Sequence, residues 1–151
     1  MEGSTGRLVI VNHGAIIAGA CGPDNFALDS TFSCAVEVLR NRGVVVGDVE
    51  FGLGDDIYDG RGGGIEGTVY GGAGKDSFLA GAAVEVLDGG TGVDTLNLRS
   101  SAGSRVDLSG AGTGTGVVLG DRHIGIENVL GANSGGISGG MLSSGPVSAM
   151  C

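Results

Sequence analysis

Single apolar residues recur at a nine-residue interval through the middle of the chain, each flanked by mostly polar or small neighbours. Five consecutive nonads, residues 51–59, 62–70, 71–79, 80–88 and 89–97, fit one register once residues 60–61 are treated as an insertion. An apolar side chain between two outward neighbours is the pattern of a minimal strand. The register therefore predicts five short strands whose inward residues are Tyr58, Val69, Phe78, Leu87 and Leu96.

Glycine fills the turn positions of the same nonads. Residues 71–76 read GGAGKD, and residues 89–94, two nonads later, read GGTGVD. Because glycine adopts left-handed backbone without a Cβ clash, glycines at positions one, two and four favour a tight turn before each strand. A turn followed by a minimal strand in every nonad predicts a flattened all-β solenoid. In this solenoid two nonads complete one coil, and equivalent residues of alternate nonads stack.

Aspartate occupies the sixth position in alternate nonads, as Asp56, Asp76 and Asp94. Stacked parallel strands lie about 4.7–4.9 Å apart, and calcium binds oxygen at about 2.3–2.6 Å, so an ion fits between aspartates of successive coils. Asp56 and Asp76 are separated by two nonads and the insertion, so residues 60–61 must bulge outward if these two are to stack. The opposite edge offers only Gly67 and Glu85, which predicts at most a weak site there.

The template G-G-x-G-x-D-x-U-x, with U apolar, resembles the calcium-binding nonapeptide repeat of the RTX (hemolysin-type) proteins. The resemblance implies a right-handed parallel β-roll that folds on binding Ca²⁺ outside the cell, with no enzymatic activity of its own. It also implies that turn carbonyls complete the calcium shell, here those of Gly52, Gly54, Gly72, Gly74, Gly90 and Gly92. Two ions are expected on the aspartate edge.

Two other functions fit the same pattern. One is a metal-independent β-solenoid that acts as a surface or adhesion scaffold, and the other is the C-terminal part of a larger secreted enzyme or toxin. Full folding in the presence of a chelator would favour the scaffold.

The N-terminal region, residues 1–50, predicts irregular β-helix rungs. Residues 8–19 and 37–48 share an apolar-N-x-G-apolar pattern around Asn12 and Asn41. This pattern is similar to the N-x-G rungs of bacterial surface β-helices, and an ordinary β-hairpin region is the alternative. Residues 20–35 interrupt the pattern and are interpreted as an excursion loop.

After Asn97 the register is lost. Residues 98–131 predict a degenerate continuation of the β-structure, with candidate strands at 106–108, 117–119 and 124–130. The next nonad has Gly136 where an aspartate is needed, which predicts no calcium site there. Residues 132–151 are rich in glycine and serine and are predicted to form a disordered tail.

Composition and charge narrow the function classes. The net charge is −9 and only eight Lys and Arg are scattered along 151 residues, which argues against nucleic acid as a partner. No segment is apolar enough for a membrane span, and residues 1–7 lack the features of a cleaved signal peptide, so the RTX resemblance implies a type I export route.

The two histidines are isolated and no catalytic constellation assembles. Three cysteines do not make a disulfide framework: Cys21 and Cys34 could pair, or remain buried thiols.

Overall fold

Short strands paired in parallel form the regular structure of the protein. The structure is a computed structural model and describes residues 6–19, 25–98, 106 and 118–131. The strands within these ranges are β1 (Arg7–Asn12), β2 (Ala15–Ile17), β3 (Phe26–Asp29), β4 (Val36–Asn41), β5 (Val44–Val46), β6 (Asp48–Glu50), β7 (Ile57–Asp59), β8 (Gly64–Glu66), β9 (Thr68–Tyr70), β10 (Ala73–Gly74), β11 (Ser77–Leu79), β12 (Val86–Asp88), β13 (Thr91–Gly92), β14 (Thr95–Asn97), β15 (Arg122–Ile124) and β16 (Asn128–Leu130).

The chain visits the same sheets in turn and so builds stacked coils. Sheet A has the order β1-β4-β7-β11-β14-β16, sheet B the order β2-β5-β8, and sheet C the order β3-β6-β9-β12-β15. A further two-stranded sheet joins β10 to β13. The fold class is therefore all-β with parallel strands in stacked sheets, as the nonad register predicts.

The number of sides changes along the molecule. The first three coils each contribute one strand to sheets A, B and C, and sheet B ends at β8. From β11 onward the chain alternates between sheets A and C, and β11 pairs with β14, two nonads later, with Ser77 opposite Thr95. The flattened two-nonad coil that the sequence predicts is thus found only after β8. Residues 60–63 form a turn closed by the Gly63 N–H to Gly60 carbonyl bond, which accommodates the insertion.

Inward side chains form one column per sheet. In sheet A, Leu39 pairs in register with Tyr58, Tyr58 with Phe78, and Phe78 with Leu96. The five inward residues predicted from the nonads are confirmed, because each is at most 1% exposed and lies at the centre of its strand: Tyr58, Val69, Phe78, Leu87 and Leu96. A stack of single side chains on facing sheets is the hydrophobic core of this fold.

The two N-x-G segments stack on each other. Asn12 pairs in register with Asn41, and the Asn12 side-chain amide donates to Asn41 Oδ1 at 2.9 Å. In both segments the Asn Oδ1 accepts the N–H of the glycine two residues on, Gly14 and Gly43. Parallel pairing of these segments excludes the β-hairpin alternative, since a hairpin pairs its strands antiparallel.

Several sequence predictions need correction. The excursion loop interpreted at residues 20–35 contains strand β3, which pairs with β6 in sheet C. Within the candidate strand 117–119, Val118 begins a turn that runs to residue 120. The candidate strand 124–130 is broken between Ile124, which ends β15, and Asn128, where β16 begins. Cys34 is an exposed free thiol, so a buried thiol is wrong for this residue.

Other predictions lie outside the described residues: the pairing of Cys21, the strand at 106–108 apart from Val106, and the tail 132–151. Among the residues that are described, there is no helix long and apolar enough to cross a membrane.

Candidate metal site

Five acidic residues stack along sheet A, one per coil, at or just before the start of a strand, and we call them the acid column: Glu37, Asp56, Asp76, Asp94 and Glu127. Each carboxylate after that of Glu37 accepts the backbone N–H of the acid one coil earlier. The Asp56 N–H donates to Asp76 Oδ1 at 2.8 Å, and the Asp76 N–H donates to Asp94 Oδ1 at 2.8 Å. The coil that contains the insertion therefore stacks its aspartates as closely as the coil without it.

The same hydrogen bond continues at both ends of the column. The Glu37 N–H donates to Asp56 Oδ1 at 2.7 Å, and the Asp94 N–H donates to Glu127 Oε2 at 2.8 Å. Neither Glu37 nor Glu127 is predicted by the nonad register. Each stands two residues before an inward apolar residue, Leu39 or Val129. Asp94 has the same spacing to Leu96. A search for an acid two residues before an apolar position would therefore find both glutamates.

The second carboxylate oxygen of each aspartate is buried and has no hydrogen-bond partner among the described residues. This holds for Oδ2 of Asp56, Asp76 and Asp94 and for Oε2 of Glu37. The three aspartates are only 1%, 2% and 0% exposed. A buried carboxylate oxygen without a partner is costly, and a bound cation or a proton would offset that cost.

The surroundings disfavour the charged form of these aspartates. Burial, with the neighbouring charges of Asp94 and Asp56, raises the pKa of Asp76 to about 7. Burial also raises the pKa of Asp56 to about 6, and it raises the pKa of Asp94. A backbone N–H bonded to each carboxylate opposes this effect without reversing it. The column therefore favours either protonation or a cation.

Backbone carbonyls approach the free oxygens where the first glycine of each nonad passes the aspartate. A Cβ placed on Gly71 would lie 2.5 Å from Asp76 Oδ2 and 2.6 Å from the carbonyl oxygen of Gly89. A Cβ placed on Gly89 would likewise meet Asp94 Oδ2 and the carbonyl oxygen of Gly125. Asp76 and Asp94 thus each have a carbonyl oxygen of the next coil near their free oxygen, in space that only glycine leaves open.

The carbonyls implied by the RTX resemblance belong to turns that stack on one another. Gly72, Gly74, Gly90 and Gly92 all have positive φ, between 86° and 153°. The carbonyl of Gly52 accepts the Ala73 N–H at 3.0 Å, that of Gly72 accepts the Thr91 N–H at 2.8 Å, and that of Gly74 accepts the Val93 N–H at 3.4 Å. A Cβ on Gly74 would collide with the Gly54 carbonyl, so these turns are as close as the backbone permits.

The opposite edge carries Glu85 and Asp121. The Glu85 N–H donates to Asp121 Oδ1 at 2.9 Å, and Asp121 Oδ2 is buried without a partner. Gly67 lies against the carbonyl of Gly47 and provides no side-chain ligand. Asp121 is not predicted by the nonad register, although it stands two residues before the inward-facing His123. His123 is 3% exposed and continues the column of Leu87, and its burial lowers its pKa.

Within the described residues no three His, Cys, Asp or Glu side chains converge into a group that could hold a metal ion. A calcium ion at the acid column would therefore take two carboxylates and complete its shell of six to eight oxygens with carbonyls or water. Calcium prefers oxygen ligands, and the acid column offers unpartnered carboxylate oxygens with backbone carbonyls nearby.

Without calcium, the protein should lose stability as the pH rises. The folded-state pKa values of Asp56 and Asp76, about 6 and 7, lie above their usual value of 3.8. Their contribution is complete below the unfolded-state pKa and is lost as the pH rises through the folded-state values. We expect urea denaturation in chelator to give a free energy of unfolding that falls between about pH 4 and pH 7. Asp76→Asn should flatten the fall, and a stability that rises over this range would contradict the prediction.

No protein-family model, no curated protein and no solved structure matches this chain.

Proposed function

We propose that the acid column binds calcium, with one ion between Asp56 and Asp76 and another between Asp76 and Asp94. The observation that carries the proposal is the row of three buried Oδ2 atoms without partners, one coil apart. A divalent cation there supplies the missing interaction and offsets the repulsion between the stacked carboxylates.

The carbonyl ligands come from the glycine turns. The positions of the Gly89 and Gly125 carbonyls, beside Asp76 Oδ2 and Asp94 Oδ2, support them as ligands. The RTX resemblance assigns the same role to the carbonyls of Gly52, Gly54, Gly72, Gly74, Gly90 and Gly92. A carbonyl oxygen has a second lone pair, so those that accept an N–H bond retain a site for the ion.

We extend the proposal to the handedness of the solenoid and to a location outside the cell. Parallel strands joined by crossovers are right-handed in about 98% of cases, which supports a right-handed roll. A protein with sites of this kind fits the calcium-rich space outside a bacterial cell, where affinities of about 10⁻⁴–10⁻³ M are typical of extracellular modules.

A calcium titration followed by circular dichroism tests the proposal. Adding calcium to metal-free protein at neutral pH should increase the β-type signal, with a midpoint of about 10⁻⁴–10⁻³ M. Magnesium is the matched control, because it needs shorter bonds and near-octahedral geometry and should bind less well. A spectrum that does not change up to about 10 mM calcium would reject calcium binding.

The second candidate function is a metal-independent β-solenoid scaffold. It is favoured by hydrogen bonds that already join the coils along the same edge: the aspartate Oδ1 bonds and the Ala73 and Thr91 N–H bonds to glycine carbonyls. This candidate predicts full folding in chelator and no change in calcium response on Asp94→Ala.

A further inference from the structure

A second buried carboxyl group crosses the interior of the solenoid, away from the acid column. Glu85 is fully buried, and its two oxygens reach different parts of the chain. Tyr58 on β7 donates its hydroxyl to Glu85 Oε1 at 2.8 Å, and the Gly81 N–H donates to Glu85 Oε2 at 2.9 Å. Glu85 therefore ties the segment 80–85 both to itself and to sheet A of the preceding coil.

This tie lies where the solenoid changes from three sides to two. Sheet B ends at β8, and a Cβ on Gly64 of that strand would touch the Ala83 side chain at 3.7 Å. The segment 80–85 thus occupies the place that a further strand of sheet B would take, without pairing as one in the described residues. The Glu85 side chain joins it to β7 through the Tyr58 hydroxyl.

Among the described residues, the groups around Glu85 include two further carboxyl groups, those of Asp59 and Asp121. Tyr58 and Asp59 face it from β7, and Asn41 on β4 contacts the Tyr58 hydroxyl. Before β15, the Asp121 carboxylate bonds to the Glu85 N–H and has its other oxygen unpartnered. His123 is the buried titratable group on β15 itself. The two arginines of this corner, Arg42 and Arg61, are both bonded to Asp59. Within the described part of the chain no basic side chain is bonded to Glu85 or Asp121, and two carboxyls one coil apart cannot then both ionise cheaply.

We infer that Glu85 and Tyr58 form a proton-controlled latch across the solenoid interior: their hydrogen bond joins segment 80–85 to β7 in both protonation states, and the latch stabilises the fold less when Glu85 ionises, because a charge is then buried beside Asp121.

Proton exchange at this latch needs no other reactant than water. When Glu85 is ionised, the Tyr58 hydroxyl supplies the hydrogen of the 2.8 Å contact, and when Glu85 is protonated its own hydroxyl can supply it. The contact is retained in both states, and what changes is the buried charge. Burial first, and the Asp121 and Asp59 charges after it, raise the pKa of Glu85 to about 7. A raised folded-state pKa means that the stabilisation is present at acidic pH and is lost as the pH rises through about 7.

Tyrosine fluorescence tests the latch directly, because the chain has no tryptophan and only two tyrosines. In a Tyr70→Phe background the emission comes from Tyr58 alone. An ionised carboxylate that accepts the tyrosine hydroxyl quenches its emission, so emission in chelator should fall as the pH rises through about 7. Adding Glu85→Gln should abolish the fall. A pH-independent emission, or the same fall in the Glu85→Gln variant, would overturn the latch.

Two further measurements separate Glu85 from the acid column, whose aspartates titrate in a similar range. As the pH rises from 5 to 8, the melting temperature of the Tyr70→Phe protein should fall relative to that of its Glu85→Gln variant, because only the protein with Glu85 gains the buried charge. Asp121→Asn keeps Glu85 in place and removes a neighbouring charge, so the fluorescence midpoint should move to lower pH. A constant temperature difference or an unmoved midpoint would each contradict the proposal. All measurements are made in chelator, so failure of calcium binding would leave their outcome unchanged.

Discussion

Replacing Phe78 with alanine is expected to lower the free energy of unfolding by about 3–5 kcal/mol, the usual cost of removing a buried aromatic ring from a core. Phe78 is 1% exposed and lies in register between Tyr58 and Leu96 in the inward column of sheet A. Phe78 is the one buried residue of β11, so no other side chain of that strand can fill the cavity. Because small domains have about 5–15 kcal/mol in total, the variant should be close to unfolding.

Urea denaturation at one fixed calcium concentration measures this effect, with circular dichroism as the signal. Phe32→Ala is the matched control, because Phe32 is 94% exposed and should change stability by less than about 0.5 kcal/mol. If Phe78→Ala lost no more than its control, the stacked inward columns would not be the core.

Asp76→Asn is expected to remove most of the calcium-dependent stabilisation while leaving the metal-free protein at least as stable as before. Asp76 is the one aspartate shared by both proposed ions. The asparagine oxygen can still accept the Asp56 N–H, but the amide nitrogen that replaces Oδ2 cannot bind a cation. In the absence of metal, the substitution removes a buried carboxyl group whose pKa is raised to about 7, and with it the cost of ionising that group.

The size of the effect follows from ligand linkage. At about 10 mM calcium and a dissociation constant of about 10⁻⁴–10⁻³ M, each ion stabilises the folded protein by about 1–3 kcal/mol. Unfolding curves with calcium and with chelator give this difference for each variant. Asp55→Asn is the matched control, because exposed Asp55 also accepts a backbone N–H, from Lys75, and lies next to the acid column in the sequence. Equal calcium stabilisation of the Asp76→Asn variant and the parent would reject these sites.

The local parts of the fold could be predicted from the nine-residue period. The strands of the five nonads begin and end where the register places them, and Asp56, Asp76 and Asp94 stack on one edge. These features depend on turn length and side-chain alternation, which act within one nonad and are written in consecutive residues. The shared N-x-G pattern of Asn12 and Asn41 left β-helix rungs and a β-hairpin region open, and the parallel pairing of the two segments decides for stacked rungs.

The wider column could not be predicted from an exact period. Glu37 and Glu127 join it at intervals of 19 and 33 residues from their neighbours, because the turns between coils differ in length while the strands stay in register. A search for a fixed repeat excludes such members, even though each coil presents its acid at the same place.

The sequence by itself determined the parallel coils, their inward residues and the aspartate edge, since glycine turns and single apolar residues allow few other local structures. Only the tertiary structure decided that three coils have a third side, that Glu85 turns inward to Tyr58 and that His123 fills a core position. Those features depend on which side chain lies one coil above or below, and the number of residues between coils varies too much for the spacing alone to fix that neighbour.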